Sequence, residues 1–506
     1  MKAQLLASDV VDLRVEPPRS MPATKHHGGY RIVHQLEPLA AIVYTTLAHM
    51  VATDVEAARS PKASETAFSY RIVLSGDSFF AAGNGYPEFV DRCRYLASTN
   101  KYVLVADIAD FYNRIYLRRL ADAISFANPR LAGVANSVKE LLTRANQEAS
   151  QGIPIGPAAS IVFSEATLID VDQFLTNRGM VHARYVDDIH VFSDTAEALE
   201  VLTEDLVVYL FDTHRLQLSW PKYQLLEASD YVARYLETPV VVERRELLDV
   251  ARVICDYGDT FTECDVDGLI DKYLARKDDE DDEDDEHSFT ETDPLLGILA
   301  VFRRQEAEER RSVRRAALEA LLATAVKSPV LDIGLARHTL RRGRDLRASE
   351  LVGVVLQHFV ALAPVLPDVF LYLHAVASPK VLSEYVVHFE NVFGSKFVNQ
   401  HRFARHWVDW FRSSHPEILG GQAAKEFWKF AAIEHQARAA RKLRNLAWVR
   451  AQKSRFANFG LWDRRAVLMA AEVMPVDERR AWVNGVAIAQ LDLVEKSICA
   501  WLVTRP

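Results

Sequence analysis

Tyr185-Val186-Asp187-Asp188 places two carboxylates side by side in the frame ARYVDDIHVF. Apolar and polar residues alternate on both sides of the pair, which predicts a β-hairpin with the acids at its tip. Upstream, VLVADIADFY reads as a strand ending in Asp107, with Asp110 three residues on, followed by Phe111 and Tyr112. Two strand ends can therefore present three carboxylates together. Carboxylates gathered this closely repel one another and are pushed toward protonation, unless a divalent cation lies between them. Magnesium is the expected ion, in two copies, with manganese able to substitute. Two such ions lower the charge on an attacking 3′-hydroxyl and on a leaving pyrophosphate together, which is the chemistry of nucleotidyl transfer. Asp110 has two readings: a part in nucleotide binding, or a solvated turn acid or cap of the next helix.

Two further segments suit a nucleotide site. Gln151-Gly152-Ile153-Pro154-Ile155-Gly156-Pro157 precedes the helical pattern AASIVFSEATLIDVDQF. Paired glycines and prolines there predict a rigid turn where backbone can approach a flat ligand such as a base pair, with Gly152 and Pro154 as nucleotide-binding candidates. LQLSWPKYQLL brings Lys222 into a turn soon after the hairpin, where a cation could meet a triphosphate or its leaving group.

Taken in order, this set resembles the palm of a reverse transcriptase. Asp107 with Tyr112 resembles the family's motif A, QGIPIGP its motif B, Tyr185 to Asp188 the Y-x-D-D box of motif C, and Lys222 motif D. The resemblance covers roughly residues 65 to 230 and implies metal ligation by Asp107, Asp187 and Asp188. It also implies that Tyr112 lies under the sugar and excludes a 2′-hydroxyl. Arg71, on a strand before motif A, matches more weakly a cation that grips the triphosphate from the fingers. Deoxynucleoside triphosphates are the implied substrates.

These residues must be held by a larger frame. The chain has 506 residues, 49% of them hydrophobic, enough for several buried cores. Short β-branched or aromatic runs, FSYRIVL, KYVLVADI and VHARYVDDIHVFSD, alternate with helical patterns at 112–127 and 157–177, and a helical stretch precedes them from about Pro38 to Ala58. From 295 onward Leu, Ala and Arg recur at helical spacing with short polar breaks, as in stacked helix pairs. The predicted fold class is α+β: right-hand polymerase fingers and palm followed by an all-α, HEAT-like helical-repeat domain. The expected boundaries are an N-terminal helical segment at 1–64, fingers and palm at 65–240, a connector at 241–294 and the helical domain at 295–506.

Charge divides along the same line. Residues 295–506 carry 32 Lys plus Arg against 20 Asp plus Glu, a balance of +12; the total of −9 therefore leaves −21 for the first 294. Nine of those negative charges form the run 278–286, DDEDDEDDE, expected to be a solvated spacer; its other reading is an acidic decoy for a basic groove. Asp9 and Asp12 interrupt the apolar stretch that a secretion signal needs, and Leu351 to Val376 is broken by polar residues and prolines. A cytoplasmic bacterial protein without a membrane partner is expected. Cys93, Cys255, Cys264 and Cys499 form no C-x-x-C pair and read as buried thiols.

Between Gln436 and Trp462 stand Arg438, Arg441, Lys442, Arg444, Arg450, Lys453 and Arg455, with no acid among them and with Trp448, Phe456 and Phe459 interleaved. Such a run suits a single-strand nucleic-acid channel, and equally an amphipathic helix with a solvated basic face and an aromatic core side. More than 200 helical residues after a palm, with no ribonuclease H or maturase region, resemble the bacterial abortive-infection (Abi) and related defence-associated reverse transcriptases. That resemblance implies template-independent, protein-primed synthesis of single-stranded DNA in phage defence by a homo-oligomer, a trimer or hexamer. Tyr30 and Tyr44 are priming candidates among 17 tyrosines. The rival readings are an RNA-templated enzyme with a bound noncoding RNA, and an inactive palm acting as a nucleic-acid scaffold.

Overall fold

The computed structural model describes residues 15–24, 30–75, 78–81, 83, 85–236, 307–327, 331–486 and 491–505. The chain forms two compact units, the first built mainly from 32–236 and the second mainly from 307–486. The acidic run 278–286, the connector 241–294, Cys255 and Cys264 lie outside the described residues.

The first unit is organised around β1 (Tyr102–Asp107), β2 (Val181–Tyr185), β3 (Asp188–Ser193) and β4 (Gln224–Glu227), in the sheet order β2-β3-β1-β4 with every pair antiparallel. Because successive side chains point to opposite faces of a strand, β1 feeds two cores. Leu104 and Ala106 enter the larger one, and Val103 and Val105 the smaller, where Phe89, Phe192 and Tyr231 meet them. A central strand covered on both sides reads as a continuous apolar run, which is what VLVA is.

The larger core is closed by α1 (Pro38–Ala58) and α2 (Ala158–Asn177). The buried Glu37 carboxylate caps α1, accepting from the amides of Leu39 and Ala40 at 3.0 and 3.2 Å, with Pro38 opening the helix. α1 is long and apolar enough to cross a membrane, but Val51, Ala52 and Val55 are fully buried in the core. α2 starts after Pro157 and ends where Gly179, at φ +70°, lets the Met180 amide donate back to the Leu175 carbonyl. It is buried nearly all round, as a helix with apolar residues on every face must be. The expected strand at FSYRIVL is shorter than its pattern, Ile72–Ser75, because Ser69 and Tyr70 form a turn and Tyr70 takes φ +44°.

Every described element of the second unit from 307 on is helical. Helices Ala307–Lys327, Ile333–Asp345, Leu366–Val376, Arg402–Ser414, Ile433–Lys442 and Leu461–Ala470 each pack on the next, giving a linear stack. The apolar segment Leu351 to Val376 is two short helices, Leu351–Gln357 and Leu366–Val376, both in the core. Cys93 and Cys499 are buried thiols.

Candidate active site

The sheet register brings the acids together. Asp107, the last residue of β1, pairs directly with Asp188, the first of β3, and the Ile108 amide donates to the Asp187 carbonyl at 3.2 Å. Side chains directly opposite on neighbouring antiparallel strands stand about 5 Å apart at Cβ. Asp107 is 5% exposed, and the Lys222 ammonium lies 2.6 Å from its Oδ1. Burial, then the neighbouring Asp187 and Asp107, pushes the Asp188 carboxyl up to about 7, against the opposing pull of Lys222. Burial gives the largest part of that displacement and the neighbouring carboxylates add to it. The donors that the three acids offer are all hard carboxylate oxygens, the set that magnesium or manganese takes.

The loop joining β2 to β3 is only Val186 and Asp187, and Val186 takes φ +54°. A β-branched residue there costs on the order of 1–3 kcal/mol and persists only where its surroundings over-determine it. The surroundings do so. The Val186 amide donates to Ser69 Oγ at 3.1 Å, and Arg184 donates to the Val186 carbonyl at 3.0 Å. Arg184 is fully buried; its guanidinium meets Asp172 through two bonds of 2.7 Å and Glu165 at 3.1 Å. Ser69 donates to Glu165, and Arg59, also buried, reaches the same carboxylate at 2.9 Å. These groups have no place in the sequence expectations. Their signal is present nonetheless: Glu165 and Asp172 stand seven residues apart, on one face of a helix whose other buried positions carry no charge.

The glycine-proline turn is anchored from two sides. Gly152 and Ile153 donate their amides to the Ile115 and Tyr112 carbonyls at 2.8 and 2.9 Å, and Asn146 Nδ2 donates to the Gly152 carbonyl at 2.7 Å. Gly152 has φ +96°, and a Cβ there would sit 3.3 Å from the Asn113 carbonyl oxygen; Gly156 has φ +125°. Gly152→Ala is expected to destabilise the first unit by more than about 1 kcal/mol, seen as a lowered thermal midpoint. Pro154 is buried in this turn. Tyr112 is mostly buried, its hydroxyl 3.2 Å from Ser164 Oγ; burial, with Glu165 and Asp187 nearby, raises its pKa despite that contact.

Geometry bears on four of the expected residues. The Arg71 guanidinium is committed to Glu56 at 2.7 Å and to the Ser60 and Ala67 carbonyls, so it braces the end of α1 and is not held out toward a triphosphate. Asp110 is exposed and accepts from Asn113 Nδ2 at 2.7 Å, in keeping with its reading as a solvated turn acid, although it makes no side-chain cap. Tyr44 is 1% exposed with its hydroxyl 2.9 Å from Ser160 Oγ, a core position from which it cannot prime. Tyr30, in contrast, is 58% exposed.

The basic run is also less free than its sequence suggests. Arg450 and Lys453 share Glu478 at 2.7 and 2.5 Å, Arg441 pairs with Glu472, and Lys442 donates to the Ser414 carbonyl. The acids come from helices beyond the window that holds the cations. Phe456 is buried, the Trp448 indole donates to Gln436 at 2.9 Å, and Arg455 lies over Phe459. The aromatics are therefore engaged within the unit. Arg438, Arg441, Lys442 and Arg444, joined by Arg505, still line a cleft of about 510 Å³.

Residues 23–240 match the family model of reverse transcriptase (RNA-dependent DNA polymerase). The chain thus carries a reverse-transcriptase domain, which implies nucleotidyl transfer, followed by an all-helical region. No curated protein matches it. Among solved structures it is similar to telomerase from Candida albicans in complex with a fragment of telomeric RNA, at 9% identity and a TM-score of 0.33, over 67% of this chain and 64% of that one. It is likewise similar to apo telomerase from Candida tropicalis, at 9% identity and a TM-score of 0.33, over 78% and 69%. The chain thus spans less than two thirds of the Candida albicans protein's length.

Proposed function

We propose that this protein is a DNA polymerase that joins deoxynucleotides by two-metal nucleotidyl transfer, with Asp107, Asp187 and Asp188 as the metal ligands. The observation that carries the reading is the register that sets Asp107 opposite Asp188, with Asp187 on the hairpin tip between them. Magnesium bound there would stabilise charge on the transferring phosphoryl group and on the attacking and leaving oxygens. Lys222 holds Asp107 in place and supplies positive charge beside the triphosphate. The Gly152–Gly156 turn gives a rigid backbone surface for the nucleotide, and Tyr112 selects the sugar. The cleft lined by Arg438 and Arg444 is suited to phosphates of a strand, single-stranded DNA or RNA.

The resemblance of the whole architecture supports a cytoplasmic bacterial enzyme of antiphage defence, working as a homo-oligomer and extending a protein hydroxyl without a template. Tyr30 is the better placed of the two priming tyrosines because it is exposed. Tyr44→Phe is expected to leave all protein-attached product in place and to cost about 1 kcal/mol of stability through the lost Ser160 contact; a melting curve and a labelling gel check both. The matching family's description as an RNA-dependent polymerase favours a second reading, templated synthesis on a bound RNA.

The deciding experiment incubates nuclease-treated protein with magnesium and each labelled deoxynucleotide, then compares denaturing gels with and without protease. Label held by protein until protease releases it supports the untemplated, protein-primed reading. Label that appears only when RNA and a primer are added transfers the conclusion to templated synthesis. No label under either condition overturns the polymerase reading.

A further inference from the structure

We propose that His406, Glu434 and His435, in the helical unit, form a binding site for one transition-metal dication of the zinc type. His406 lies midway along the helix Arg402–Ser414, and Glu434 and His435 lie in the first turn of Ile433–Lys442, two helices that pack against each other. His435 Nε2 is 3.5 Å from His406 Nδ1 and 3.7 Å from Glu434 Oε1, and all three donor atoms fall within 4.8 Å of one another. Zinc bonds of about 2.0–2.2 Å place the corners of a tetrahedron about 3.3–3.6 Å apart. The two distances from His435 already match such a corner spacing, and the third pair, His406 and Glu434, closes to it within the 4.8 Å that bounds the cluster.

The donors are held by packing. The His435 side chain is 3% exposed and that of Glu434 16%, so neither is a freely swinging surface group. Two imidazoles and one carboxylate make the ligand set of an open zinc site, with a fourth position left for water. Imidazole nitrogen selects zinc, cobalt, nickel or copper over magnesium, which keeps to oxygen. One chain would thus sort two metals by donor type, magnesium at the carboxylates of the first unit and a softer dication here. Arg438, one turn after Glu434, interacts with the same carboxylate. It competes with the ion for Glu434 and tempers the affinity.

The test uses full-length, tag-free protein stripped by a chelator, then titrated with cobalt in excess magnesium so that the carboxylate set is occupied. One equivalent of cobalt is expected to give visible d–d bands of a low-coordinate nitrogen/oxygen site, bleached by zinc. His406→Asn and His435→Gln should each lose that equivalent, whereas Asp187→Asn should retain it, so the result stands whether or not the polymerase reading does. His406 is only partly buried, so its variant leaves the core intact even if His435→Gln fails to fold, and a melting curve verifies this. Absence of the bands in the wild-type protein, or an unchanged stoichiometry in folded His406→Asn, overturns the proposal.

Discussion

Asp187→Asn should lower deoxynucleotide incorporation by about a thousandfold or more, since an ion held by these carboxylates is worth several kcal/mol of transition-state charge stabilisation. The substitution keeps the shape of the side chain and removes one of the neighbouring charges that, after burial, raise the Asp188 carboxyl. The thermal midpoint is therefore expected to hold steady or rise while activity disappears. Incorporation of labelled deoxynucleotide, measured beside a melting curve, separates the two effects. Activity within tenfold of wild type would remove Asp187 from the metal site.

Arg184→Met should cost about 3–5 kcal/mol, because it strands the buried Asp172 carboxylate and leaves Glu165 with Arg59 as its one remaining guanidinium. For a unit of this size that is a fall of roughly 10 °C in the midpoint. Adding Asp172→Asn should recover part of the loss, since the second change removes the stranded charge; strict additivity would refute the network. The same groups set an acid limit. Burial alone would raise Glu165 and Asp172, yet Arg184, joined at Glu165 by Arg59, outweighs it and holds both below their ordinary carboxylate range. The unfolded chain then takes up more protons than the folded one on acidification. The contribution is complete at neutral pH and drains away from about pH 5 downward. Urea midpoints measured from pH 7 to pH 3 should fall in wild type, and by less in Arg184→Met.

How much of this is legible in the sequence depends on how local each feature is. The Y-V-D-D hairpin, the strand ending at Asp107, the glycine turn and helix α1 are written in neighbouring residues, and each lies where its pattern put it. The placement of the charges is not local. Arg71 sits at the start of a strand, like a residue free to reach a ligand, but Glu56 fifteen residues back captures it. The run from Arg438 to Arg455 holds no acid, yet Glu472 and Glu478 fold onto it from later helices. Tyr44 follows a helical period that leaves both faces open until α2 covers one. Arg184 is one residue from the motif and reads as part of its frame, while the partners that make it matter lie on another element.

The sheet order also carries a consequence for how the chain is made. β1 lies at the centre of the sheet between β3 and β4, yet both partners follow it in the chain, β3 by about 80 residues. At ribosomal speeds of about 5–20 residues per second, the central strand waits roughly 4–16 s for its first neighbour. Through that interval Val103, Leu104 and Val105 have no ladder, although α1 and the segment around Phe89 are already made, and both edges of the strand can pair with anything extended nearby. The helices of the second unit, each packing on a near neighbour in sequence, face no such delay. Misassembly in the cell should accordingly begin at the strand that ends in Asp107, before any residue of the helical stack has been made.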